Sequence, residues 1–151
     1  MTAAAVPPTS STPALTSRFW ADLTTRDFAA LQSAGQADQV VAVLPVAAIE
    51  QHGPHLPLSV DATLLQGVIE AALPQLPADL PVLFLLPQNI GFSVEHSNYA
   101  GTLSLSPATL IALWTELGAC VARASMPVTV KPLSTSSSAA RWLLVPMPDV
   151  A

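Results

Sequence analysis

The sequence predicts an α/β fold with a parallel sheet, because two valine- and leucine-rich runs flank a segment of helical periodicity. The runs are QVVAVLPV and LPVLFLLPQ, residues 39–46 and 80–88, and each has the length of a buried strand. The intervening segment DATLLQGVIEAAL is followed by Pro74, and its apolar residues at helical spacing are Leu64, Leu65, Val68, Ile69 and Leu73. Strand, helix and strand in this order form a βαβ unit with parallel strands.

Two further helices have recognisable ends. In LTTRDFAALQSAG, Thr24 is suited to the N-cap, Asp27 follows three residues later, and Gly35 marks the end. In SPATLIALWTELGACVARA, Ser106 is suited to the N-cap and Pro107 to the first helical position. We therefore expect a short helix before the βαβ unit and a long one after it.

The two ends of the chain differ from its centre in composition. Residues 1–17 are rich in Ala, Pro, Ser and Thr without periodicity, which predicts a disordered leader. Residues 125–151 contain four prolines and a Ser/Thr tract. A doubly wound fold should continue there with an apolar strand, and VTV and WLLV are poor candidates for it. The sequence thus predicts a leader, a domain over residues 18–124 and an atypical tail.

The bulk composition excludes several classes of protein. The 151 residues suffice for one domain, with 51% apolar and only 10% charged residues, against roughly 25% charged in soluble domains. Such a chain should bury much of its surface, partly against copies of itself. The net charge is −5 and the five basic residues are scattered, which argues against nucleic acid as a partner.

Neither a membrane segment nor a secretion signal is predicted. The longest apolar run, residues 40–49, is about half the length that spans a bilayer. The N-terminus lacks a basic start followed by an apolar core, so a cytoplasmic protein is expected. The single cysteine, Cys120, lies among apolar residues of the long helix, which predicts a buried, unreactive thiol.

Chemistry-bearing residues gather in IEQHGPHLPLSVDATLL, residues 49–65. Glu50 follows the first strand at its carboxyl end, where open α/β sheets bind ligands. Glu50 and His52 are two residues apart, so an extended chain directs both to the same side, and Asp61 stands at the entrance to the next helix. One imidazole and two carboxylates are ligands that Zn²⁺ or Mn²⁺ sites use.

Simpler interpretations of the same residues remain open. Asp61 is also suited to capping the helix, and His52 and His55, each taken alone, are typical of loop histidines hydrogen-bonded to backbone. Glu50 is harder to explain in that way, because an acid directly after a buried strand is costly unless it is paired or bound. A nucleotide-binding α/β domain is disfavoured, since no glycine-rich loop follows the first strand.

The segments EQHGPHLPLSVD and GFSVEHSNYAGTLSLSP, residues 50–61 and 91–107, resemble signatures of the creatininase family, the creatinine amidohydrolases and their relatives. The resemblance covers residues 19–124. It implies a parallel-sheet three-layer sandwich, usually in a hexamer, with two Zn²⁺ or Mn²⁺ ions per subunit. It also implies hydrolysis of a C–N bond in a small cyclic amide such as creatinine, or in a related formamide or peptide.

The resemblance also implies roles for individual residues. Glu50 resembles a ligand of one metal, His52 a ligand of the other, and Asp61 the bridging carboxylate. Gly101 and Thr102 are expected to shape a loop near the site. Residues that match the motifs without an implied ligand role are His55, Glu95 and His96.

One departure from the family pattern concerns the later metal-ligand motif. Family members complete the site with a later histidine after the long helix, but none of the three histidines of this chain follows residue 96. The sequence therefore resembles a truncated or frameshifted member, so the fold is expected to be incomplete. The alternative to an amidohydrolase is a catalytically incomplete fragment that keeps only the fold and the subunit contacts.

Overall fold

The computed structural model describes residues 12–124, 126 and 128–130. Its sheet has three parallel strands in the order β2-β1-β3, and the strands are β1 Val41–Leu44, β2 Val82–Phe84 and β3 Val128–Val130. The helices are α1 Thr25–Ser33, α2 Val60–Ala72 and α3 Pro107–Arg123. Short 3-10 turns occupy Trp20–Asp22, Ala37–Gln39, Leu73–Gln75 and Val94–His96.

The predicted βαβ unit is confirmed. β1 and β2 are parallel, with Val41 opposite Val82 and Val43 opposite Phe84, and α2 lies between them in sequence. Both strands are shorter than the apolar runs that contain them. Pro45 ends β1 because proline has no N–H to donate to the ladder.

Helix α1 begins with the predicted capping box. The Thr24 hydroxyl accepts the Asp27 N–H at 3.4 Å, and the Asp27 carboxylate accepts the Thr24 N–H at 2.7 Å. Gly35 follows the helix with a φ of 64°, a conformation that glycine adopts without a steric penalty. The predicted start and end of α1 are therefore confirmed.

Helix α2 buries a narrower stripe than its sequence predicts. Leu65 and Ile69 are buried, whereas Leu64 and Val68 are 48% and 45% exposed. The N-cap is Ser59, which makes no side-chain capping bond, and Asp61 lies inside the first turn. The interpretation of Asp61 as the helix cap is therefore wrong.

Helix α3 begins as predicted, with the Ser106 hydroxyl accepting the Thr109 N–H at 3.2 Å. The expectation of a buried Cys120 is wrong, because this thiol is exposed. Val121 is buried, and successive helical residues are about 100° apart around the axis, so its neighbour Cys120 is directed away from the core. The Arg123 Nη2 atom lies 2.9 Å from the Cys120 sulfur.

The segment VTV forms β3, so the expectation that it would make a poor strand is wrong. Its partner is β1, with Ala42 opposite Val128 and Leu44 opposite Val130. The segment WLLV lies outside the described residues, as do residues 1–11 of the predicted leader. Leu15, from the described part of that leader, packs against the core.

The core lies where the sheet meets α1 and α3. Its fully buried residues include Val40, Ala42 and Leu83, and Leu31 and Val121 pack onto them from the two helices. The pairing of β1 with β2 places the carboxyl ends of the two strands side by side. No helix among the described residues is long and apolar enough to cross a bilayer.

Candidate metal centre

Backbone hydrogen bonds hold the segment that joins β1 to the candidate site. The Ala47 N–H donates to the Gln88 carbonyl at 3.0 Å, beyond the end of β2. The Leu103 N–H donates to the Ile49 carbonyl at 2.9 Å, and the Glu50 N–H donates to the Leu58 carbonyl at 3.1 Å. These bonds hold Glu50 at the sheet edge and close the following loop, so that the chain re-enters the site at α2.

Glu50, His52 and Asp61 come together at this edge. Their candidate ligand atoms all lie within 4.8 Å of one another. The side chains of Glu50, His52 and Asp61 are 16%, 23% and 32% exposed, so the cluster is screened by protein on one side and reachable from solvent on the other. The structure thus assembles the three residues that the sequence selected as candidate ligands.

The hydrogen bonds of His52 fix its ring orientation. Its Nδ1 lies 3.0 Å from the Glu50 carbonyl oxygen, and a carbonyl can only accept, so Nδ1 carries the hydrogen. Metal-ligating histidines commonly donate their other N–H to a backbone carbonyl in this way. Nε2 is therefore the atom left for a ligand, and it lies 3.3 Å from Oδ1 of Asp61.

The short distance between the His52 Nε2 and the Asp61 carboxylate requires a positive charge at this contact. In a neutral ring the Nε2 lone pair would face a carboxylate oxygen, and two acceptors repel each other at this distance. Either a proton or a metal ion relieves that repulsion. The bond to the Glu50 carbonyl raises the pKa of His52, and the negative charge of Asp61 raises it further, against the opposing effect of partial burial.

The donor set fits a divalent ion. Imidazole nitrogen and carboxylate oxygen bind Zn²⁺ at about 2.0–2.2 Å, and a catalytic zinc takes three protein ligands and a water. Glu50, His52 and Asp61 supply three such donors, so the described residues suffice for one catalytic ion. A second ion would need donors beyond these three.

A second segment approaches the site from the 3-10 turn Val94–His96. The His96 Nε2 lies 3.6 Å from Oε1 of Glu50, and the Gln51 Nε2 lies 2.9 Å from the His96 Nδ1. The sequence motifs implied no ligand role for His96, and no sequence signal pointed to Gln51. Strand alternation would have directed Gln51 away from its neighbours, but residues 50–53 do not form a strand.

The other motif residues lie outside the ligand cluster. His55 and Glu95 are exposed, and neither belongs to the cluster of candidate ligands found among the described residues. Gly101 has a φ of 93°, and a Cβ there would lie 2.6 Å from Cδ1 of Leu58. Thr102 donates its N–H to the Tyr99 carbonyl at 3.2 Å. Gly101 therefore packs against the loop that Leu58 closes onto Glu50.

Comparison with known proteins supplies the family. A family model described as "Creatininase: Creatinine amidohydrolase" matches residues 21–129, more than half of the chain. The mycofactocin precursor peptide peptidase of Mycobacterium tuberculosis is 40% identical over 90 residues, which cover 54% of this chain and 36% of that protein. The corresponding protein of Mycolicibacterium smegmatis is 38% identical over 78 residues, covering 50% and 32%.

Solved structures of creatininases share the fold. A crystal structure of creatinine amidohydrolase superposes with a TM-score of 0.62 at 28% identity, covering 77% of this chain and 44% of that one. A manganese form of creatininase gives the same TM-score and identity, with coverage of 76% and 44%. The chain thus spans less than half the length of the relatives it matches. The match over residues 21–129 nevertheless shows that this chain belongs to the creatininase family.

Proposed function

We propose that this chain provides metal ligands of a hydrolase that cleaves an amide C–N bond, with Glu50, His52 and Asp61 binding Zn²⁺ or Mn²⁺. The observation that carries the proposal is the approach of the His52 Nε2 to the Asp61 carboxylate at 3.3 Å, beside the Glu50 side chain, which is 16% exposed. A bound ion satisfies all three groups at once. One solved relative is a zinc-zinc form and another a manganese form of creatininase.

Each residue has a distinct task in this proposal. His52 offers Nε2, while its Nδ1–H bond to the Glu50 carbonyl keeps the ring from rotating. Glu50 offers its carboxylate from the end of the strand, and Asp61 has two oxygens with which to bridge neighbouring ions. When bound, the metal lowers the pKa of a coordinated water and polarises the carbonyl under attack.

The substrate is a small molecule or peptide that carries an amide bond. A peptide is supported by the curated relatives, which are named precursor peptide peptidases and are 38–40% identical over the aligned residues. A cyclic amide such as creatinine is supported by the creatininases, which are 28% identical. We propose a peptide amide as the first substrate to test, with creatinine as the second.

A second candidate function is a fragment that keeps the fold and subunit contacts without a complete site. The observation that favours it is that the cluster contains three donors, fewer than two ions require. Exposed apolar side chains such as Leu56, Leu64, Phe92 and Ile111 are compatible with contacts to further copies of the chain. We propose a homo-oligomer, and light scattering of the purified chain would measure its mass.

The deciding experiment measures metal content and turnover together. We expect one or two equivalents of Zn²⁺ or Mn²⁺ per chain, and hydrolysis of short peptides or creatinine. Glu50→Gln should lower both metal content and turnover. Glu95→Gln, which changes an exposed acid within residues 91–107, should change neither. Metal below one equivalent with no turnover would support the incomplete fragment instead. Retention of metal by Glu50→Gln would contradict the proposed ligand set.

A further inference from the structure

We infer that Gln51 and His96 form a positioning device for Glu50, in which Gln51 fixes the His96 tautomer and His96 directs an N–H at the Glu50 carboxylate. The inference rests on the proposed function, because the oriented group is a candidate metal ligand. It adds two residues, Gln51 and His96, that the ligand set does not contain. It follows from a chain of three contacts, each of which determines the next.

The first contact fixes the Gln51 amide. The Gly53 N–H donates to Oε1 of Gln51 at 2.9 Å, and a backbone N–H can only donate. The oxygen of the Gln51 amide therefore faces Gly53. The NH₂ group must then face the other way, toward His96.

The second contact fixes the His96 tautomer. The Gln51 Nε2 lies 2.9 Å from the His96 Nδ1, and an amide NH₂ has only hydrogens to offer. The His96 Nδ1 is therefore the acceptor, and in the neutral ring the hydrogen resides on Nε2. This is the opposite tautomer to that of His52, whose Nδ1 donates to the Glu50 carbonyl.

The third contact joins His96 to the candidate ligand Glu50. The His96 Nε2 lies 3.6 Å from Oε1 of Glu50, slightly longer than a hydrogen bond, and it approaches the carboxylate with an N–H rather than a lone pair. An N–H on Nε2 excludes that atom as a metal ligand, and its partial positive charge attracts the Glu50 carboxylate. His52 and His96 thus have different roles: His52, whose Nε2 faces Asp61, is the ligand, and His96, whose Nε2 faces Glu50, is the positioning residue.

The carboxylate of Glu50 gains a defined orientation from this arrangement. A glutamate has three side-chain torsions, and ordering it costs conformational entropy. An N–H directed at one carboxylate oxygen favours one set of those torsions before the ion arrives. Loss of such an outer partner typically lowers metal affinity by about 10–100-fold.

The tautomer is tested directly by nitrogen spectroscopy. Long-range ¹H–¹⁵N correlation of the metal-free chain at mildly alkaline pH should show His96 protonated on Nε2, with the signal assigned by its loss in His96→Asn. In Gln51→Glu the carboxylate accepts instead of donating, so the hydrogen should move to Nδ1. A wild-type His96 protonated on Nδ1, or a tautomer unchanged by Gln51→Glu, would overturn the inference.

The positioning role is tested by a matched pair of variants with Zn²⁺ as the probe. The terminal amide of glutamine reaches the place of Nε2, whereas that of asparagine reaches only the place of Nδ1. We expect His96→Asn to weaken Zn²⁺ binding by about 10–100-fold and His96→Gln to retain wild-type affinity. Equal affinity in His96→Asn and the wild type would overturn the role. So would equal weakening in both variants, which would require the imidazole itself as a ligand.

Metal binding by the chain and the tautomer of His96 are measured independently of each other. If the wild-type chain bound no Zn²⁺, the proposed function would fall, while the nitrogen spectra would still decide the tautomer. Circular dichroism of the two variants establishes whether they are folded. If His96→Asn were unfolded, Gln51→Glu would serve as the second affinity variant, and wild-type Zn²⁺ affinity in it would overturn the role.

Discussion

The Nε2 atom of His52 lies 3.3 Å from Oδ1 of Asp61, although one residue belongs to a loop and the other to the first turn of α2. The bond from the His52 Nδ1 to the Glu50 carbonyl holds the ring in this direction. The backbone bond between Glu50 and Leu58 brings the two ends of the loop together. Two acceptors at this distance repel each other unless a proton or a metal ion lies between them.

Replacing Asp61 with Asn should abolish tight binding of Zn²⁺ or Mn²⁺. The amide has no negative charge and only one oxygen, so it cannot bridge two ions as a carboxylate does. Metal content of the purified variant, measured by elemental analysis, checks the prediction. His55→Ala is the matched control, because His55 is exposed in the same loop and should leave the metal content unchanged. An Asp61→Asn variant with wild-type metal content would show that the bridging role is wrong.

The stabilisation by metal should grow with pH. The pKa of His52 is raised, and the largest cause is its bond to the Glu50 carbonyl. In the metal-free chain, protonated His52 therefore stabilises the fold, and this contribution is complete at pH values below the pKa of His52 in the unfolded chain. That contribution is lost as pH rises through the higher folded pKa. A metal ion binds only the neutral imidazole. The apparent metal affinity should therefore rise with pH as His52 loses its proton. The metal-induced increase in Tm should therefore be small near pH 5 and large near pH 8.

The pH prediction has a direct control in His52→Asn. This variant has no imidazole to titrate at the site, so its metal-induced change in Tm should be smaller and should depend less on pH between these limits. Thermal denaturation with and without Zn²⁺ measures both quantities. A wild-type metal effect that stayed constant over the whole range would contradict competition between proton and metal at His52.

The sequence predicted the local elements well because their signals are local. Thr24 and Asp27 form a capping box by themselves, and Ser106 with Pro107 starts α3 without help from other segments. The Glu50, His52 and Asp61 cluster was also predictable, because a strand end and a helix start bring these residues to one sheet edge. The order of elements predicts their proximity, and the backbone bonds from Ala47 to Gln88 and from Leu103 to Ile49 hold Glu50 in place.

The features that the sequence did not predict depend on tertiary contacts. The segment Val128–Val130 is too short for a recognisable pattern, and it becomes a strand by pairing with β1. Exposure of Cys120 depends on which face of α3 meets the sheet. The approach of Gln51 to His96 joins segments 45 residues apart, so no local pattern reveals it.

Replacing Gly91 with Ala should destabilise the fold where the segment of residues 91–107 begins. A Cβ at Gly91 would lie 2.8 Å from the Ala47 carbonyl oxygen. The Ala47 N–H is bonded to Gln88, so this backbone cannot easily move away. We expect a lower free energy of unfolding by about 1–3 kcal/mol, as for other overpacked sites, together with weaker metal binding.

The matched control for Gly91 is Gly118, which lies inside α3. A Cβ there meets nothing within 4 Å, so Gly118→Ala should raise stability by up to about 1 kcal/mol through helix propensity. Urea denaturation of the two variants compares them directly. An equal free energy of unfolding in Gly91→Ala and the wild type would show that the Ala47 backbone can move to admit the Cβ without destabilising the fold.

Replacing Thr24 with Ala should destabilise α1 by about 1 kcal/mol, because the variant loses the hydroxyl that caps the Asp27 N–H. The Thr24 hydroxyl and then its N–H bond to Asp27 and lower the pKa of that carboxyl. A lowered pKa in the folded state contributes stability above the unfolded pKa, and this contribution is lost as pH falls through the folded value. The difference in Tm between the wild type and Thr24→Ala should therefore shrink in acid, below about pH 4. Thr25→Ala, one residue further on in the first turn, is the control, and an equal loss of stability in both variants would contradict the capping explanation.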